Sequence, residues 1–150
     1  MARSFSVDVV KLGQALRKIH ESNLAGQLVR SGTSIGANIA EGRYPQTKSD
    51  YISKLSIALK EASETRYWIA LCEDLKIVKS NGRFSTMKSD CDEIIAVLLK
   101  AVRYAKISRA KAKRLEALVD GRKRRKAPPE ANGNDIQFAS LLDDGDDDEP

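Results

Sequence analysis

The segment that leaves this chain the least freedom is residues 27–42, QLVRSGTSIGANIAEG. Leu28, Ile35 and Ile39 recur there at helical spacing, yet Ser31, Gly32, Thr33, Ser34, Gly36 and Ala37 stand almost in a row. A glycine inside a helix costs about 1 kcal/mol relative to alanine, so Gly32 and Gly36 require a tertiary reason. Together with Ala40 they fall at i, i+4 and i+8. They form a ridge without bulky side chains, along which another helix can approach closely. A phosphate-binding loop fits poorly, because no Gly-Lys-Ser/Thr follows, no G-x-G-x-x-G is present and no strand-like run precedes the segment.

The rest of the chain supplies partners for such a ridge. Val9, Leu12, Leu16 and Ile19 recur at three and four residues, while Lys11, Gln14, Arg17 and Lys18 lie off that stripe. This predicts a first helix over about 4–21, with Ser4 or Ser6 as its cap and Asp8 in its first turn. Ser22 and Asn23 supply a break and a cap for a second helix over about 23–41, which stops at Gly42. Thr47 or Ser49 opens a third over about 47–79, and Tyr51, Leu55, Ala58, Ala62, Thr65, Ile69 and Cys72 form its near-heptad stripe. Asn81 and Gly82 break it.

Ser85 or Thr86 then opens a fourth helix over about 85–118. Met87, Cys91, Ile94, Leu98, Ala101 and Ala105 share one face, with Ile95, Leu99 and Val102 beside them. The expected fold is all-α, an antiparallel up-down four-helix bundle occupying residues 1–120. A basic extension of the fourth helix is expected to project from the bundle or lie at its edge. Pro128 and Pro129 end that helix, and residues 121–150 comprise a basic cluster, a proline linker and an acidic tail expected to be disordered.

The formal charge of +5 conceals two opposed parts. Residues 1–126 hold all 26 Lys and Arg against 13 acids, and residues 127–150 hold eight acids and no base. The body is therefore +13 and the tail −8. On the body, Arg103, Lys106, Arg109, Lys111, Lys113 and Arg114 precede the cluster Arg122, Lys123, Arg124, Arg125 and Lys126. These are the candidate contacts to RNA or DNA phosphates, each releasing counterions on binding. No recognition-helix grammar, zinc knuckle or aromatic stacking platform is legible, so binding is expected to tolerate sequence and to weaken with salt. In the tail, Ile136, Phe138, Leu141 and Leu142 precede the acidic run. That segment either solubilises the chain, folds back to compete with RNA, or docks a partner.

Chemistry is sparse. His20 is the single histidine and stands at the end of the first helix without a placed nucleophile or metal partner, which implies a surface or capping role. Cys72 and Cys91 lie on apolar stripes without C-x-x-C spacing and are expected to be reduced core thiols of a cytoplasmic protein. Glu61, Glu64, Glu73 and Asp74 make no Glu-x-x-His pattern of a di-iron bundle. No catalytic residue, metal or cofactor is expected. With no run of about 18 apolar residues, neither is a membrane span.

One resemblance adds to this reading. Arg30, Gly32 and Ser34 belong to the motif RSGTSI and Asn38, Glu41 and Gly42 to NIAEG, with Gly36 between the two, and DYISKLSIALKEA follows over residues 50–62. Their order and spacing resemble a bacterial four-helix-bundle family from about residue 5 to about residue 105. That family includes the proteins encoded in intervening sequences of large-subunit ribosomal RNA genes and the accessory variability determinants of diversity-generating retroelements. The resemblance implies a ring-like homopentamer of four-helix bundles. It also implies, for retroelement members, association with a reverse transcriptase and its template RNA. The alternative is a protein-interaction scaffold of the ribosomal intervening-sequence type that does not bind nucleic acid physiologically. Asn38 and Glu41 lie at i, i+3 near a helix end. They either fix the bundle's register through the helix ends, Arg30 or Arg43, or face a partner.

Overall fold

The structure, a computed structural model, describes residues 1–78 and 82–126, the last six as helix backbone only. Four helices follow one another: α1 (Ala2–Lys18), α2 (Ser22–Glu41), α3 (Lys48–Asp74) and α4 (Gly82–Lys126). The described residues contain no strand. The described residues fall into two units, the first Met1–Ala112 and the second beginning at Lys113.

Within the first unit the helices alternate in direction, as successive contacts show. Gly13 meets Val29, Val9 meets Gly32, and Ser6 donates to the Gly32 carbonyl at 3.3 Å, so α1 and α2 are antiparallel. Arg30 reaches Glu61 and Glu64 while Glu41 reaches Lys54, which reverses α3 against α2. Lys88 pairs with Glu73, and Cys91 Sγ lies 3.5 Å from the Ala62 carbonyl, which reverses α4 against α3. Asp8 pairs with Arg83 and closes the bundle from α1 to α4. This is the up-down four-helix bundle that the periodicity predicts.

The small-residue ridge is filled by α1. A Cβ added at Gly32 would stand 2.6 Å from Val9 Cγ1, and Val9 is fully buried. Gly36 faces Ser6 Oγ in the same seam. Ala40 is exposed, so the ridge ends one turn earlier than its spacing implies. On the α1 side Gly13 admits Val29, a close approach that we did not expect from the sequence. Between α2 and α3 the fully buried Thr65 hydroxyl donates to Ser31 Oγ at 3.0 Å, and Ser31 donates to the Gln27 carbonyl at 3.0 Å. Satisfied in this way, two polar groups sit in the core without a desolvation penalty.

The core gathers Phe5, Val9, Leu16, Leu28, Ile35, Leu55, Ala58, Ala62, Ile69, Cys72, Met87, Cys91, Ile94, Leu98 and Val102. Several expected core positions are displaced. Ile19 and Leu99 are exposed, and on α3 the buried residue of the first turn is Ile52 where Tyr51 was expected. Phe5 and Phe84, outside the expected stripes, are buried in the core. Burial pushes the Cys72 thiol up to about 11 and the Cys91 thiol up to about 12, so both resist ionisation and are poor nucleophiles.

Helix ends account for most boundary shifts. α1 starts at Ala2 with no side-chain cap; Ser4 and Ser6 instead donate back to the Met1 and Ala2 carbonyls, and Asp8 lies beyond the first turn. Glu21, and neither Ser22 nor Asn23, occupies the cap position of α2. Thr47 caps α3 by accepting from the Asp50 amide at 3.0 Å, in the position that the sequence offered. α3 ends at Asp74 rather than near residue 79. Lys76 enters the left-handed region at φ 55° and its amide closes on the Glu73 carbonyl. α4 begins at Gly82, where Thr86 donates back to the Gly82 carbonyl and caps nothing. It also runs past residue 118 to Lys126. Gly42 ends α2 with a helical φ of −62°, which any residue adopts; an added Cβ would press on the Asn38 carbonyl at 3.3 Å and make only an ordinary contact with Lys54 Cβ at 3.6 Å.

Candidate nucleic-acid interface

From Ile94 to Leu115 no acidic residue occurs, while Lys100, Arg103, Lys106, Arg109, Lys111, Lys113 and Arg114 do. On a helix with 3.6 residues per turn such a run cannot be confined to one edge. Lys100, Arg103, Lys106 and Lys111 are exposed on the first unit's part of α4, and Arg109 is half-buried. Lys113 and Arg114 are exposed in the second unit. Among the described residues none of these seven makes an ion pair. Arg30, Lys54, Arg66, Arg83 and Lys88, in contrast, each face a carboxylate. Among the described residues, the positive potential of this part of α4 is therefore uncompensated where that of the other helices is locally cancelled. The side chains of Arg122, Lys123, Arg124, Arg125 and Lys126 lie outside the described residues, as does the tail with Ile136, Phe138, Leu141 and Leu142.

A groove of about 540 Å³ opens between the start of α3 and this part of α4. Lys48, Tyr51 and Ile52 line it from α3; Lys100, Ala101, Tyr104, Ala105, Ser108 and Arg109 line it from α4. Three cations and two tyrosines thus converge without a lining carboxylate. Tyr104 is 76% exposed and Tyr51 is 37% exposed, a wasteful placement for rings that serve only packing. The sequence offered no aromatic platform because the two tyrosines are distant in the chain. The antiparallel register of α3 against α4 brings them to one groove. Lys48 and Lys100 were missed for the same reason.

The motif residues of α2 are instead engaged within the bundle. Arg30 lies 3.5 Å from Glu61 and also pairs with Glu64. The Trp68 indole donates to Glu64 at 3.1 Å and, with Arg30, holds that carboxyl below the usual carboxylate range. Asn38 Nδ2 donates to the Ser34 carbonyl at 2.9 Å and to Ser34 Oγ at 3.2 Å. Glu41 pairs with Lys54 of α3, and with neither Arg30 nor Arg43. His20 is exposed just past α1, with φ 67°. Among the described residues no group of His, Cys, Asp and Glu side chains could hold a metal ion, and no helix is long and apolar enough to cross a membrane.

The model of the family described as 23S rRNA-intervening sequence protein matches residues 1–100. The chain belongs to that family. In structure it is similar to a Bacteroides thetaiotaomicron protein of unknown function from the S23 ribosomal protein family. The two share 37% sequence identity and a TM-score of 0.64, over 67% of this chain and 94% of that one. No curated protein matches the chain. The family match takes in the α2 motif and the bundle's cross-helix ion pairs. Arg103, Lys106, Arg109, Lys111, Lys113 and Arg114 follow its last residue, so membership of the family and the basic run are separate observations about one chain.

Proposed function

We propose that this family member is a non-enzymatic, cytoplasmic nucleic-acid-binding scaffold that engages RNA or DNA through phosphates. The observation that carries this reading is the acid-free run of cations on α4 beginning at Lys100, which make no ion pair among the described residues. Unpaired, exposed ammonium and guanidinium groups are the groups that exchange condensed counterions for phosphate contacts. In its finer form the reading follows the resemblance to accessory variability determinants. The chain assembles as a homopentamer and holds template RNA beside a reverse transcriptase, which performs the chemistry. An oligomer repeats each weak patch and raises effective concentration, so modest contacts sum to firm binding.

Fluorescence anisotropy of a labelled structured RNA, titrated against the full chain at several salt concentrations with the assembly mass measured in the same buffer, tests this. The expected result is tight binding at low salt whose logarithm falls linearly with the logarithm of salt concentration. No binding at low salt by an assembled oligomer would replace the reading with a protein-interaction scaffold.

A further inference from the structure

The groove between α3 and α4 does more than add charge. We infer that it is a binding site for an unpaired nucleotide of single-stranded nucleic acid, with the base stacked on Tyr104 and Tyr51 and the flanking phosphates held by Lys48, Lys100 and Arg109. This inference rests on the nucleic-acid reading and gives it a specificity that phosphate contacts alone lack. Its volume of about 540 Å³ lies within the roughly 300–1,000 Å³ typical of small-ligand sites. Such a site takes a nucleotide but is too small for a duplex.

The lining matches both halves of that ligand. Ala101, Ala105 and Ile52 contribute apolar surface beside the two tyrosines, and Lys48, Lys100 and Arg109 contribute the charge. Lys48 is the first residue of α3, so the groove also receives the positive end of a helix of 27 residues. Asp50, in the same turn, does not line the groove; its carboxylate accepts from the Gln46 amide at 3.1 Å. An acidic segment without aromatic residues would satisfy the cations, but it offers no flat ring to two exposed tyrosines, whereas every base does. Base stacking on aromatic side chains tolerates any sequence, in agreement with the lack of base-reading groups.

The test compares three labelled probes of equal length with the full chain: a single-stranded oligonucleotide, its duplex, and a single strand of abasic residues. Wild-type protein is expected to bind the single strand more tightly than the abasic strand. Tyr104→Leu, at an exposed position that leaves the fold intact, should weaken the single strand about ten-fold and the other two little, and Tyr104→Phe should retain the wild-type order. Lys100→Gln with Arg109→Gln should weaken all three. Equal losses on single and abasic strands in Tyr104→Leu, or no loss, would overturn the stacking site while leaving phosphate binding in place. Failure of wild-type protein to bind any probe at low salt would remove the nucleic-acid reading itself.

Discussion

Arg66 on α3 and Arg103 on α4 are both exposed guanidinium groups, but Arg66 Nε lies 2.8 Å from Asp92 Oδ1 whereas Arg103 has no carboxylate partner among the described residues. The contrast extends along both regions. Arg30, Lys54, Arg66, Arg83 and Lys88 cross from one helix to the next and end on acids. Lys100, Arg103, Lys106 and Arg109 end on none among the described residues. Exposed ion pairs contribute at most about 1 kcal/mol each, so the paired set contributes register more than strength. Its charge is cancelled within a few ångströms and draws little from a distant phosphate. Equal formal charge therefore does not mean equal availability, and a count of Lys and Arg overstates the binding surface.

The sharpest way to break this comparison is to neutralise each set in turn. Replacing Lys100, Arg103, Lys106 and Arg109 by Gln is expected to weaken RNA binding on the order of 100-fold at low salt and to flatten the salt dependence by about three logarithmic units, with little change in melting temperature. Replacing Arg66, Arg83 and Lys88 by Gln removes nearly as much charge and is expected to change affinity less than about three-fold. Anisotropy titrations on both variants decide the matter. Equal losses would mean that net charge alone governs binding and that pairing is irrelevant.

The α1–α2 seam supplies the converse case, a place where substitution should touch stability and leave binding alone. At Gly32 an added Cβ meets Val9 Cγ1 at 2.6 Å in a fully buried contact. Overpacking of this kind costs about 1–3 kcal/mol, offset by roughly 1 kcal/mol of helix propensity, so Gly32→Ala should lower stability by up to about 2 kcal/mol. Gly26, also inside α2, has nothing within 4 Å of its added Cβ, and Gly26→Ala should raise stability by about 0.5–1 kcal/mol. Urea unfolding of the two variants measures the difference. A loss of RNA affinity per folded molecule in either would tie the seam to binding and undo the separation.

What the sequence disclosed follows from the range of each signal. Apolar spacing is local, so the stripes of α2 and α3 and the four-helix topology were legible from Leu28, Ile35, Leu55, Ala58, Ala62, Thr65, Ile69 and Cys72. The Thr47 cap was legible because its hydrogen bond spans one turn. Tyr51 was misplaced by one residue. Its aromatic ring fits a core stripe by hydropathy, and only packing against α4 shows that Ile52 takes the interior. The groove was invisible, because Lys48 with Tyr51 and Lys100 with Tyr104 become neighbours only through the register of α3 on α4. Pairing was invisible too: Asp8 reaches Arg83 across half of the chain's length, and no spacing rule connects them.

The smallest effect concerns His20, which belongs to neither region and should be neutral to binding. Its φ of 67° lies in the left-handed region that L side chains enter at a cost. Its amide donates to the Arg17 carbonyl at 3.1 Å, and the Glu21 amide donates to the Leu16 carbonyl at 3.0 Å. With Ile19 as the C-cap, these are the two bonds of a Schellman motif, whose left-handed position is usually glycine. The ring is exposed and, among the described residues, its side chain makes no hydrogen bond or ion pair, so the backbone conformation is what the position demands. His20→Gly removes the steric cost in the native state and adds conformational freedom to the unfolded chain, and the first term should exceed the second. A gain of about 0.5 kcal/mol in urea unfolding, with RNA affinity unchanged, is the expected result. A loss of stability would show that the imidazole holds the α1–α2 turn through a contact of its own, and the turn would then join the seam as a region that tolerates no substitution.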